Sequence, residues 1–250
     1  MPDVDLGDVS IHYEEVGTGP LAFIFLTSDH YYFDKGDSRY REIGTLLEKD
    51  MDFWAGHFGR AILWDYRGLG RSSGAAKYNL PLVASDLARL MDGLEIKSGV
   101  IYGYQFGGFV AQQFALEYPE KCAVLVLEST SPELNAAASE QYLKAAEKHK
   151  EDTTILPEHL PFHVFASRAL ASMREQPFTP RLKHIASPTL ILAGALDSST
   201  RGPGGSVMMS RRIPTNTLKI FEDGHHSLIA EKTQEVHDLV VQFSREHGVI

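Results

Sequence analysis

Residues 102–109 read YGYQFGGF. Just upstream, Val100–Tyr104 (VIYGY) has the apolar, β-branched character of a strand. Downstream, GGFVAQQFALEY spaces its apolar residues for a helix. The stretch is therefore a strand that turns directly into a helix, with Gln105 on the turn. Gly103 and Gly107 remove side-chain bulk on either side of that residue, and Gly108 lets the helix close on the strand. Such bulk must go if the central residue is held at positive φ. Close packing alone would use the same glycines, so they leave the role of Gln105 open.

The surrounding chain repeats the pattern. Two alternating segments, VDLGDVS and IHYEEVG, lead to a turn at Gly17–Pro20, and LAFIFL (21–26) is a continuous apolar run, as in a strand buried on both faces. A polar, aromatic loop, TSDHYYFDKGDS, precedes a helical stretch from about Arg39 to Trp54. AILWDY (61–66), AVLVLES (123–129), TLILAG (189–194, after Pro188) and TLKIF supply further strands. Helical spacing recurs in LPLVASDLARLMDGLEI, with Pro81 in the first turn, in a short piece within 201–212, and after GHHS. This alternation predicts an α/β protein with a mostly parallel twisted sheet flanked by helices. It lapses from about Ser131 to Ile185, which reads as short helices with no strand, a helical cap inserted over the carboxyl edge of the sheet. No repeat, low-complexity segment or linker is visible, so residues 1–250 are expected to form one domain.

Composition narrows the function. Of 250 residues, 43% are apolar and 23% charged, ordinary for a globular chain able to bury its own core. Cys122 is the only cysteine, so no intrachain disulfide can form. The formal charge of −9 argues against nucleic acid as a partner. The start, MPDVDLGDVS, lacks a basic segment followed by an apolar one, and no apolar run approaches the roughly 18–20 residues that span a bilayer. A cytoplasmic protein without membrane contact is expected. The eleven histidines show no metal-ligand spacing, and RGPGGS (201–206) has no lysine after its glycines, so neither a metal nor a phosphate-binding P-loop is expected.

Three polar residues fall at strand ends in chain order: Gln105 after VIYGY, Asp197 in GALD after TLILAG, and His225 in GHH after TLKIFEDG. Functional groups of open α/β sheets gather at that edge. With GYQFGG (103–108), DYRGLGRSS (65–73), GALD (194–197) and EDGHHS (222–227) in this order, the chain resembles the α/β-hydrolase family over nearly its whole length. The resemblance implies a nucleophile elbow at 103–107, with glutamine where that family places serine. It also implies an Asp197–His225 pair, His225 being preferred to His226 because it directly follows Gly224. The family's oxyanion loop usually carries His-Gly, whereas here FIFL leads into Thr27-Ser28-Asp29-His30. Thr27, Ser28 and His30, with the Phe106 amide and Tyr104, are the expected oxyanion and substrate contacts. Thr27 and Ser28 could equally cap the loop.

An amide cannot play the serine's part, but it donates and accepts hydrogen bonds. The expectation is an enzyme without a cofactor, in which a His-Asp dyad performs acid/base chemistry on a small carbonyl metabolite with an apolar or aromatic body. Elimination, C–C cleavage, decarboxylation and cyclisation all fit, since each stabilises an enolate or oxyanion while a base moves a proton. Two alternatives stand beside it: hydrolysis of an ester, lactone or β-diketone by His-activated water, and an inactive ligand-binding protein. The sequence leaves the substrate and the oligomeric state open. Asp65 and Arg67 read as structural, and Tyr31, Tyr32 and Phe33 as either pocket border or packing.

Overall fold

A computed structural model describes residues 3–27, 41–73, 78–153, 155, 157, 159–199 and 203–250. Eight strands form one sheet: β1 Asp3–Asp5, β2 Ser10–Gly17, β3 Leu21–Leu26, β4 Arg60–Trp64, β5 Ser98–Tyr104, β6 Cys122–Glu128, β7 Thr189–Gly194 and β8 Asn216–Phe221. Their spatial order is β1-β2-β4-β3-β5-β6-β7-β8. β2 pairs antiparallel with both β1 and β4, and the six strands from β4 to β8 in the sheet are parallel to one another, as the strand–helix alternation requires. The register aligns the carboxyl ends: Leu26 faces Gly103, Tyr104 faces Glu128, and Gly194 faces Phe221. β3, β5, β6, β7 and β8 therefore end along one edge.

The helices are α1 Arg41–Phe58, α2 Leu80–Gly93, α3 Phe106–Glu117, α4 Ala136–His149, α5 Leu160–Ser172, α6 Pro203–Ser210, α7 Leu228–Glu231 and α8 Thr233–Glu246. Alternate residues of the central strands feed two cores, one on each face of the sheet. Ile24, Leu26, Ile101 and Leu127 pack with Val83 and Leu87 of α2 and Phe109 and Phe114 of α3. Phe23, Phe25, Tyr102 and Val126 pack with Trp54 of α1 and Val236 and Val240 of α8. The Asn79 side chain caps α2 by accepting from the Leu82 amide, and Pro81 sits in the first turn, where its missing N–H costs nothing. No helix among the described residues is long and apolar enough to cross a membrane.

The differences from the sequence expectation are local. VDLGDVS is not one strand, because Gly7 takes φ 88° and breaks it after Asp5. α1 runs to Phe58, four residues past the expected end at Trp54, while Arg39 lies outside the described residues. Between β6 and β7 the described residues form α4, α5 and a 3-10 turn at Leu182–His184, with no strand. Phe162 of α5 stacks on Tyr66 at 5.4 Å and meets the Phe106 ring edge-on at 5.9 Å, so this helical segment lies against the turn after β5.

Two buried polar groups stiffen the frame. Arg67 and Asp86 are fully buried and joined by two hydrogen bonds, Nε and Nη2 of the guanidinium donating to the two carboxylate oxygens. Removing Asp86 leaves the buried guanidinium with only the 3.3 Å contact of the exposed Asp8, whereas removing both partners leaves no buried charge. Asp86→Ala is accordingly expected to lower stability by about 3–5 kcal/mol, and Arg67→Met/Asp86→Leu to recover most of the loss, as read by urea unfolding.

Glu128, at the end of β6, is the second such group. Burial pushes its carboxyl up from 4.5 to about 7, against the Tyr102 hydroxyl and the Ile229 and Leu228 amides, which pull it down. The folded chain thus holds a proton that the unfolded chain releases between about pH 4.5 and pH 7. Stability therefore falls as pH rises through that window. Relative to Glu128→Gln, wild type should lose up to about 3 kcal/mol between pH 4 and pH 8, and parallel stability curves for the two proteins would contradict this burial.

Candidate active site

Gln105 occupies the turn between β5 and α3 at φ 51° and ψ −113°. A non-glycine residue there carries about 1–3 kcal/mol of backbone strain, which persists only where the surroundings enforce it. The enforcement is visible. The Gln105 amide donates to the Glu128 carbonyl at 3.2 Å, and the Gly108 amide donates to the Gln105 carbonyl at 3.1 Å. A Cβ at Gly107 would stand 1.9 Å from the Leu26 carbonyl oxygen and 2.7 Å from that of Thr27, so only glycine lets α3 start this close to the end of β3. The half-buried Gln105 side chain donates from Nε2 to the Tyr104 hydroxyl at 2.8 Å. That leaves its oxygen and second N–H for another partner.

Asp197 follows β7 and is buried, with its Oδ1 accepting from the Ser199 amide at 2.8 Å. Its Oδ2 lies 2.8 Å from Nδ1 of His226. Burial pushes the Asp197 carboxyl up, but the His226 hydrogen bond and the Ser199 contacts outweigh it and hold the group below its ordinary value. Asp197 is therefore ionised at neutral pH and can only accept. The neutral imidazole must then carry its proton on Nδ1, leaving Nε2 with a lone pair. The side chain of His226 is 28% exposed, so solvent or a small molecule can reach it.

This corrects the sequence expectation that His225 would pair with Asp197. His225 is 64% exposed and sits 3.3 Å from Glu231 on the other side of the loop. The backbone path decides the matter. The carbonyls of Gly224 and His225 pass over Gly194, where a Cβ would lie 2.4 and 2.0 Å from their oxygens, and the Leu196 amide donates to Gly224 at 2.9 Å. With the loop held there, the His226 side chain meets Asp197 and that of His225 faces solvent and Glu231. Adjacency to glycine could not distinguish two neighbouring histidines.

Tyr104 is buried, its ring centroid 5.9 Å from that of His226, and its hydroxyl bonds to Ser227 Oγ. Phe106 opens α3, so its amide belongs to the first turn, whose N–H groups have no acceptor within the helix. Thr27 is buried, and its carbonyl accepts from the Tyr66 hydroxyl at 2.8 Å. Ser28 and His30 lie outside the described residues, as do Tyr31, Tyr32 and Phe33. Two contributors had no motif to announce them. Ser129, at φ 48°, donates from Oγ to the His226 carbonyl at 2.6 Å, and Glu231 accepts from the amides of His225 and Ser227. Asp65 and Arg67 make the structural contacts expected of them, Asp65 accepting from the Arg71 amide. Among the described residues no cluster of three or more His, Cys, Asp or Glu could hold a metal ion.

Comparison with known proteins agrees with this architecture. The model of the alpha/beta hydrolase fold matches residues 36–167, just over half of the chain. A poly(3-hydroxyalkanoate) depolymerase of Ectopseudomonas oleovorans is 29% identical over 74% of this chain and 75% of its own. A 3-oxoadipate enol-lactonase of Acinetobacter baylyi is 24% identical over 68% and 73%. Among solved structures, the enol-lactonase of Burkholderia xenovorans superposes with a TM-score of 0.80 at 17% identity, covering 97% of this chain and 99% of that one. With the family model matched across the elbow, on a sheet of the same design, the chain belongs to the α/β-hydrolase fold family.

Proposed function

We propose that this protein is an enzyme acting on a small carbonyl compound, in which His226, oriented by Asp197, moves protons while Gln105 holds the substrate and no bond to the protein forms. The hydrogen bond between ionised Asp197 and His226 Nδ1 carries this reading. It directs the Nε2 lone pair outward as a general base and stabilises the imidazolium that proton abstraction creates. At the elbow, where the family's serine would attack, Gln105 offers an amide that binds a carbonyl, hydroxyl or carboxylate but does not add to one. The Phe106 amide, with a second donor from the Thr27–Ser28 segment or His30, is the proposed oxyanion contact. The helical segment 131–185 is the proposed cap, with the fully buried Phe162 packing it against Tyr66 and Phe106. Elimination, C–C cleavage, decarboxylation and cyclisation are the reactions this set of groups supports.

A second reading has its own support in the lactonases among the relatives: His226 activates water against an ester, lactone or β-diketone. Both readings make the same demand of the dyad. On whichever compound of an ester, lactone and β-dicarbonyl panel is turned over, His226→Ala should lower kcat by about 10²–10⁴-fold, while His225→Ala stays within about twofold of wild type. Full turnover by the His226 variant would refute both. Running the reaction in ¹⁸O-water separates them, because only the hydrolytic route places solvent oxygen in the product. Saturable binding with no turnover of any panel member would favour the inactive binder.

A further inference from the structure

Behind the histidine loop, β6 ends in a carboxyl group that the proposed chemistry does not use. Glu128 is fully buried, and its two oxygens have separate partners. Oε2 accepts from the Tyr102 hydroxyl, and Oε1 accepts from the Ile229 amide at 3.2 Å. An apolar residue would fill this place without the desolvation penalty of a carboxyl group, so packing alone does not explain the choice. The neighbouring contacts indicate what it accomplishes. Ser129 Oγ donates to the carbonyl of His226, and the Tyr104 hydroxyl bonds to Ser227. Three strand-end residues, 104, 128 and 129, thus fasten 227, 229 and 226. Asp197 holds only one edge of the imidazole ring. Where the other edge points depends on the backbone that these contacts fix.

We infer that Glu128 is a positioning residue for His226: its carboxyl group, braced by the Tyr102 hydroxyl, anchors the 226–229 segment through the Ile229 amide and so keeps the imidazole on Asp197. The inference rests on the reading of His226 as the base, but its geometric part can be tested without turnover. In ¹⁵N-histidine-labelled protein, the His226 signals are assigned by their loss in His226→Gln. Wild type should show one sharp set of the Nδ1-protonated tautomer. Glu128→Gln, which keeps an acceptor for the Ile229 amide and a polar group for Tyr102, should preserve it.

Glu128→Leu removes the acceptor while filling the space. In that variant the His226 signals should broaden or move to the averaged position of a free imidazole. On a compound that wild type turns over, kcat should fall by about 10²-fold with KM within about twofold. Ser129→Ala, a milder lesion that removes a neighbouring anchor of the same segment, should shift the signals in the same direction by less. A folded Glu128→Leu protein with wild-type His226 signals overturns the inference. Should the leucine variant not fold, unchanged signals in Tyr102→Phe, which removes the hydroxyl that braces the Glu128 carboxyl group, overturn it. If instead the signals respond as stated but His226→Ala keeps full turnover, the anchor stands and the proposed chemistry fails.

Discussion

The carboxyl edge of the sheet depends on backbone passing where no Cβ could stand. At Gly194 the carbonyls of Gly224 and His225 occupy the space a side chain would fill. Any larger residue would lift the loop after β8 away from the end of β7, and Asp197 and His226 would separate. Gly107 does the same between α3 and the end of β3. These two approaches hold the turn after β5 against the end of β3, and the loop after β8 against the end of β7. Every other feature of the site, including the strained turn at Gln105 and the bonds from Ser129 and Tyr104, operates inside the space they define.

How much of this was readable beforehand follows from the range of each interaction. Strands such as LAFIFL and TLILAG declare themselves through composition, because burial on both faces permits only apolar side chains. The turn at 103–108 is readable because its glycines answer a local backbone demand. Which of two adjacent histidines meets Asp197 is set by contacts between residues about thirty positions apart, at Gly194 and Gly224, and no local pattern encodes that. Glu128 and Ser129 were invisible for a related reason. They close an otherwise apolar strand, and their partners lie about a hundred positions away, at Ile229 and His226.

The elbow poses the sharper physical question. A positive φ at Gln105 costs free energy, and the surrounding hydrogen bonds hold it there. A turn kept merely for packing would be relieved by glycine at 105. Instead the side chain is anchored on the Tyr104 hydroxyl, which itself bonds to Ser227 beside the catalytic candidate His226. The amide and the histidine loop are thereby coupled through one phenol. A neutral donor–acceptor held beside the Asp197–His226 pair suits binding and orientation of a polar group. It does not suit covalent attack.

The central claim is that proton transfer proceeds here with nothing ever attached to the chain. Intact-protein mass spectrometry on samples acid-quenched during turnover addresses it most directly. The account predicts the unmodified mass at every time point, for esters as for β-dicarbonyl compounds. A turnover-dependent adduct of the mass of the substrate or of its acyl fragment, mapped by peptide analysis to any residue of the 104–106, 129 or 225–227 segments, would contradict it.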